Sequence, residues 1–320
     1  MIEPTCLNQN FSTTRLLVND QSAILKQIKQ SRNPDDKFET ILFLREDKDR
    51  QGEGGLRTQG CFKQSYIDKP LITIVTVVYN GEKFLEETIQ SVINQTYDNV
   101  EYIIIDGGST DSSLNIIRQY ENMIDYWVSE KDGGMYDGIN KAFVCAQGDL
   151  INFCNSDDLF YSKDVIMKIV MNFKSRYFDC CYGSSEYINT KGGHLYYKHP
   201  LNFKNRYLLT LGMPFTQPTF FWTSNIMKRT GLLNIKYKIA SDYDFIGRIV
   251  LESKIVHKNN FYIAKFRKHG ESFGDKNTTI ANKEVYDIKN NTLKCFKPSF
   301  YSFFLLYDRV IQKCYNILST

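Results

Sequence analysis

The sequence predicts an α/β fold with a doubly wound, mostly parallel sheet flanked by helices. Three observations carry that expectation. Short, β-branched apolar runs recur between residues 71 and 154; segments with helical apolar spacing separate them; and the runs end in polar, turn-forming residues.

Each element follows in order. Residues 1–69 read as an N-terminal extension packed on the main domain. Leu16 to Ile28 form one candidate helix and Thr40 to Leu44 one candidate short strand, with a flexible stretch near 46–55 where charged residues and three glycines cluster. Pro70 marks the boundary. Leu71–Val78 is a strand apolar enough to be buried on both faces. Glu82–Asn94 has helical spacing, and Val100–Ile105 is a second strand ending in Asp106. Ser109 and Asp111 can cap the next helix, Ile124–Val128 is a third strand, Asp137–Gln147 a helix, and Leu150–Cys154 a fourth strand. Beyond it come a helix at Lys163–Lys174, short strands at Phe178–Tyr182, Tyr187–Asn189 and Leu195–Tyr197, and a helix at Ala240–Val250. The division expected is 1–69, a catalytic domain 70–275 (halves 70–160 and 161–275) and a helical, basic and aromatic tail 276–320.

Composition removes several classes. A hydrophobic content of 42% over 320 residues is too high for a disordered chain and can bury a sizeable core. No run of about eighteen apolar residues is present to span a bilayer. The first ten residues lack a basic-then-apolar leader, so a cytoplasmic location is expected. A net charge of +4 is too small to argue for nucleic acid, and no nucleic-acid partner is expected. Eight cysteines occur without a C-x-x-C pair, which suits reduced, packed thiols, Cys154 included.

Ligands of open α/β sheets bind at the carboxyl ends of the strands. Those ends carry Tyr79-Asn80, Asp106-Gly107-Gly108-Ser109 and Asn155-Ser156-Asp157-Asp158. Neither a phosphate loop nor a dinucleotide fingerprint is present; the glycines at 52, 54 and 55 follow no strand run and have Arg57 at the last position. Two adjacent acids at a strand end suit a hard divalent cation that also binds substrate phosphates; the other reading is a turn cap.

The run VVYNGEKFLEETIQSVINQTYDNVEYIIIDGGSTD, followed by GDLINFCNSDDLF, resembles the family 2 glycosyltransferases of the GT-A fold over roughly residues 70–250. The I-D-G-G-S-T-D and Y-D-x-x-N-K patterns are most similar to those of bacterial cell-surface polysaccharide transferases. The resemblance implies metal-dependent, inverting transfer from a nucleotide-diphosphate sugar, a UDP-sugar first among them, to a glycan or a polyprenyl-diphosphate-linked acceptor. It places Val77, Tyr79 and Asn80 along the nucleotide, and Asp106 at the base, although Gly107 stands where an acid is commoner; the other reading of Asp106 is a turn-stabilising residue. Asp132 and Asn140 become candidates for the donor, and Lys141 is either a phosphate contact or a solvated helix lysine. Asp158 is expected to hold Mn2+ or Mg2+, with Asp157 near the ribose or the metal's waters. His269 either completes the metal shell or is a surface-loop histidine.

On the acceptor side, Gly231-Leu232-Leu233 and then Ala240-Ser241-Asp242-Tyr243-Asp244 with Arg248 resemble the family's segment carrying the general base. Asp242 is the candidate and Asp244 the rival. Gln217-Pro218-Thr219 is expected to shape the acceptor pocket; Trp222 either stacks on a sugar or fills the core. Residues 245–320 hold 13 Lys+Arg against 6 Asp+Glu, and the basic, aromatic stretch 294–318 suits either a peripheral contact with the inner membrane face or a helix packed on the domain. Two other classes share parts of the pattern. A nucleotidyltransferase would carry a basic Gly-rich loop after the first strand, and a non-catalytic carbohydrate-binding derivative would be favoured by a blocked Asp158 or Asp242.

Overall fold

The computed structural model describes residues 6–200, 213–270 and 277–292. Its strands are β1 (Arg50–Gly54), β2 (Ile72–Val78), β3 (Val100–Asp106), β4 (Tyr126–Glu130), β5 (Leu150–Phe153), β6 (Leu159–Phe160), β7 (Cys180–Ile188), β8 (His194–Lys198), β9 (Phe221–Thr223) and β10 (Val256–Arg267). They form one mixed sheet in the order β1-β4-β3-β2-β5-β9-β7-β10-β6, with β8 paired to β7. The central strands β4-β3-β2-β5 are mutually parallel. Helices are α1 (Gln21–Gln30), α2 (Leu85–Ile93), α3 (Ser113–Gln119), α4 (Met135–Cys145), α5 (Val165–Ser175), α6 (Ser224–Thr230), α7 (Ser241–Glu252) and α8 (Thr278–Asp287).

Both faces of the central strands are apolar because both are covered. Val75, Val77, Ile103 and Ile105 meet Ile139 and Phe143 of α4 and Phe245 and Ile249 of α7. The alternate residues Ile72, Ile74, Tyr102 and Ile104 meet Leu85, Ile89 and Val92 of α2, Ile117 of α3 and Ile166 and Ile169 of α5. Side chains two apart along a strand share a face, so the two sets separate cleanly. Truncating one of them, such as Ile104→Ala, would cost about 2–5 kcal/mol.

The first 69 residues depart from expectation. The stretch read as flexible contains β1, which pairs antiparallel with β4 at the sheet's edge. Its glycines have a packing reason: a Cβ on Gly52 would lie 2.9 Å from the Trp127 ring. Arg50 bonds Glu130 at 2.9 Å and Glu53 at 2.7 Å. No strand forms at 40–44, where Ile41 N–H donates singly to the Val144 carbonyl. The first helix starts later than expected because Asp20 caps it, accepting from Ala23 N–H at 2.9 Å. Arg57 is buried against Glu101 of β3 and fixes this segment to the sheet.

In the second half, the runs at 178–182 and 187–189 belong to one nine-residue strand, β7. β10, parallel to β7, went unread because His257-Lys258-Asn259-Asn260 breaks the apolar alternation. The expected membrane-contact stretch 294–318 lies outside the described residues. Among the described residues no helix is long and apolar enough to cross a membrane.

Candidate active site

The parallel strands bring their carboxyl ends together as the topology requires, and the polar residues collect there. Val77 is buried within β2, while Tyr79 just beyond it is exposed. Asn80 takes a left-handed conformation, φ 51°, that asparagine tolerates better than most residues. It bridges two strand ends: its N–H donates to Ser109 Oγ at 2.8 Å and its Oδ1 accepts from Thr110 N–H at 2.8 Å.

Asp106 closes β3. It is fully buried, and its carboxylate accepts from Ser109 N–H, Ser109 Oγ–H and, at 2.5 Å, Ser129 Oγ–H. These bonds match the turn-stabilising reading of Asp106. Asp132, at the end of β4, fills the neighbouring space. Its Oδ2 lies 2.9 Å from where a Cβ on Gly107 or on Gly138 would be, so the glycine at 107 makes room for this carboxylate. Asp132 Oδ1 accepts from Gly134 N–H at 2.8 Å, and burial pushes its carboxyl above the usual range.

The two acids after β5 have different surroundings. Asp158 is buried and points inward: Oδ1 accepts from Arg267 N–H at 3.0 Å and Oδ2 from Asn155 Nδ2 at 3.3 Å. Burial, then the Asp157 charge, raise its carboxyl well above the ordinary value. Arg267, at the end of β10, donates to the Asp157 carbonyl and to Glu87 of α2, and its guanidinium lies over the Phe84 ring. That docking delivers His269, two residues on, to the acid that remains accessible. His269 Nε2 and Asp157 Oδ2 are 2.7 Å apart, with Asp157 30% exposed. An imidazole beside a carboxylate is a donor pair suited to a divalent cation. Among the described residues no set of three or more His, Cys, Asp or Glu could hold an ion alone, so remaining positions would fall to a ligand's oxygens or water.

Asp242 and Asp244 separate as clearly. Asp244 is buried in an ion pair with Arg248 at 2.9 Å, and Arg248 also donates to the Thr230 and Leu232 carbonyls. Asp242, in the first turn of α7, is half-buried. Its carboxyl is raised to about 6, chiefly by burial. Tyr136 Oη–H, from the first turn of α4, donates to Asp242 Oδ1 at 3.3 Å and to the Ile239 carbonyl. A carboxylate of that pKa can accept a proton near neutral pH.

The remaining candidates are placed by contacts within the protein, and Trp222 and Cys154 fall on their core readings. Asn140 spends its amide on the Leu233 backbone, donating to the carbonyl at 3.0 Å and accepting from the N–H at 2.9 Å. Lys141 pairs with Glu130 at 2.6 Å. Trp222 is fully buried among Phe143, Phe153, Phe220 and Phe245, a core residue. Gln217 lies beside the β5 end, donating to the Phe153 carbonyl at 2.6 Å. Cys154 is buried in the core. Sequence reasoning missed Arg267 and the part played by Tyr136. The Tyr sits inside a quoted motif and could have been questioned; the Arg had no signal beyond its nearness to His269.

The family model for glycosyl transferase family 2 matches residues 73–233. A Mycobacterium tuberculosis protein described as an uncharacterized glycosyltransferase is 30% identical over 186 residues, 57% of this chain and 70% of its own. An uncharacterized glycosyltransferase of Rickettsia typhi is 27% identical over 225 residues, 68% of this chain and 70% of its own. Among solved structures, residues 1–349 of S. aureus TarS in complex with UDP-GlcNAc superpose with a TM-score of 0.55 at 17% identity, covering 68% of this chain and 64% of TarS 1–349. The mannosyltransferase PcManGT of Pyrobaculum calidifontis, in complex with GDP-Man and Mn2+, gives 0.52 at 15% identity, covering 75% and 69%. At those identities the likeness establishes the fold, which is GT-A.

Proposed function

Because this chain belongs to the family 2 glycosyltransferases, we propose that it transfers a sugar from a nucleotide-diphosphate donor to a hydroxyl of a glycan or lipid-linked acceptor in surface polysaccharide synthesis, with inversion. The observation that carries the reading is the separation of the acids: Asp244 is neutralised by Arg248, while Asp242 is half-buried, raised and held by Tyr136. In this reading Asp242 takes the proton of the acceptor hydroxyl as that oxygen attacks the anomeric carbon. Attack comes opposite the diphosphate, and the single displacement inverts the configuration. Val77, Tyr79 and Asn80 line the nucleotide side, and Asp132 presents its carboxylate beside them. Support for a UDP-sugar is that TarS binds UDP-GlcNAc, although PcManGT binds GDP-Man.

The residues fit a divalent cation, Mn2+ or Mg2+, and Asp157 with His269 would hold it, whereas Asp158 orders the strand end that delivers His269. When bound, the cation supplies positive charge to the leaving diphosphate. The test is a panel of UDP-, GDP- and dTDP-sugars with the parent and Asp242→Asn. Transfer by the parent and its loss in the variant, with donor binding kept, is expected. Full transfer by Asp242→Asn would remove the base assignment.

A further inference from the structure

The loop leading to Asp242 is held by a helix that no motif reaches and that lies beyond the family match. Glu284 of α8 accepts three consecutive backbone N–H groups: Lys238 at 2.8 Å, Ile239 at 2.9 Å and Ala240 at 2.9 Å. Successive amides turned to one side form a concave donor set, and a carboxylate is its complement. These three amides lie just ahead of α7, so the Glu284 carboxylate holds the turn by which the chain enters the helix at Ala240. The same helical segment is packed down firmly. Ile288 is buried with Tyr237, Ala240 and Tyr243, and Tyr237 Oη–H donates to Asp287 at 2.8 Å. From the other side, Tyr136 takes the Ile239 carbonyl and reaches Asp242.

We propose that Glu284 is a positioning residue for transfer: by fixing the 238–240 backbone against Tyr136 it sets the Asp242 carboxylate, which makes residues 278–292 part of the working site. This rests on the reading of Asp242 as the base. The groups that face Asp242 from its neighbours are Tyr136 of α4, whose donated bond favours the ionised carboxylate, and Glu284 of α8, whose charge opposes it. Lys289 lies over the Tyr243 ring, and Lys236 pairs with Asp287. Removing the Glu284 charge should therefore lower the Asp242 midpoint even as the loop loosens.

The experiment uses the full chain with Glu284→Ala, Glu284→Gln and, separately, Asp242→Asn. Hydrogen exchange at Lys238, Ile239 and Ala240 should quicken by about 10-fold or more in Glu284→Ala. The Asp242 carboxyl, followed by carbon NMR, should titrate at lower pH in Glu284→Gln than in the parent. With the UDP-sugar turned over in the donor panel, kcat should fall by about 10–100-fold in Glu284→Ala with KM within about two-fold. Parent-like exchange, titration and kcat in both variants would overturn the proposal. So would a fall in melting temperature alone, which marks a merely structural residue. Undiminished transfer by Asp242→Asn, with the Glu284 effects on exchange and titration intact, would instead remove the base reading on which the proposal stands.

Discussion

Asp132 occupies the space that a side chain at position 107 would take, its Oδ2 standing 2.9 Å from the Cβ point of Gly107. The glycine and the acid are thus one adaptation, made at adjacent strand ends. Gly107→Asp should force two carboxylates into that space and weaken UDP binding by about 10-fold or more. Removing the resident acid as well, in Gly107→Asp with Asp132→Ala, should recover part of the loss, because contacting sites are not additive. Calorimetric titration with UDP measures both, and parent-like affinity in Gly107→Asp would refute the pairing.

The two acids after β5 should fail in different ways. Asp157 meets His269, whereas Asp158 accepts from the Arg267 backbone inside the protein. Asp157→Asn and His269→Ala are expected to abolish the extra stabilisation that Mn2+ adds to UDP in a melting experiment, with little change to the protein alone. Asp158→Ala should lower the melting temperature without any ligand, by an amount matching about 1–3 kcal/mol for an unsatisfied buried amide. If Asp158→Ala melts like the parent while losing the Mn2+ effect, the roles are the reverse.

The parallel strands were legible because burial on both faces writes short runs rich in β-branched and apolar residues, as in Ile72–Val78 and the Tyr102–Ile105 part of β3. β1 was illegible for the opposite reason. Its sequence, RQGEG, has no apolar residue, and its glycines are shaped by Trp127, more than seventy residues away. Site residues divide along the same line. Strand ends announce where acids collect, but how each acid is buried depends on partners from elsewhere: Arg267 N–H bonds Asp158, and Ser129 Oγ–H bonds Asp106. Glu284 carries no local pattern at all, since its three partners are backbone groups more than forty residues earlier.

Arg248 should be a stability residue and Asp242 a residue for transfer. Arg248→Ala leaves Asp244 buried without its partner and frees the Thr230 and Leu232 carbonyls. A loss of about 3–5 kcal/mol in urea unfolding is expected from breaking such a pair. Asp242→Asn, which removes a raised carboxyl and keeps its shape, should unfold close to the parent. Equal destabilisation by the two substitutions would contradict this division.

Tyr136 and Asp242 give the pH dependence its sign. The Asp242 carboxyl is raised to about 6, mainly by burial, and must be ionised to accept a proton, so transfer should fall as pH drops through that value. Tyr136 donates to the carboxylate and so favours its ionised form. Tyr136→Phe withdraws that bond, raises the Asp242 midpoint, and should move the acid limb of kcat to higher pH. The same change frees the Ile239 carbonyl, so kcat on the plateau should fall as well, while KM for the UDP-sugar stays near the parent value. The direction separates this residue from Glu284, whose charge acts the other way: Tyr136→Phe shifts the limb up and Glu284→Gln shifts it down. Coincident acid limbs for the parent and both variants would show that Asp242 is not the group whose ionisation governs transfer.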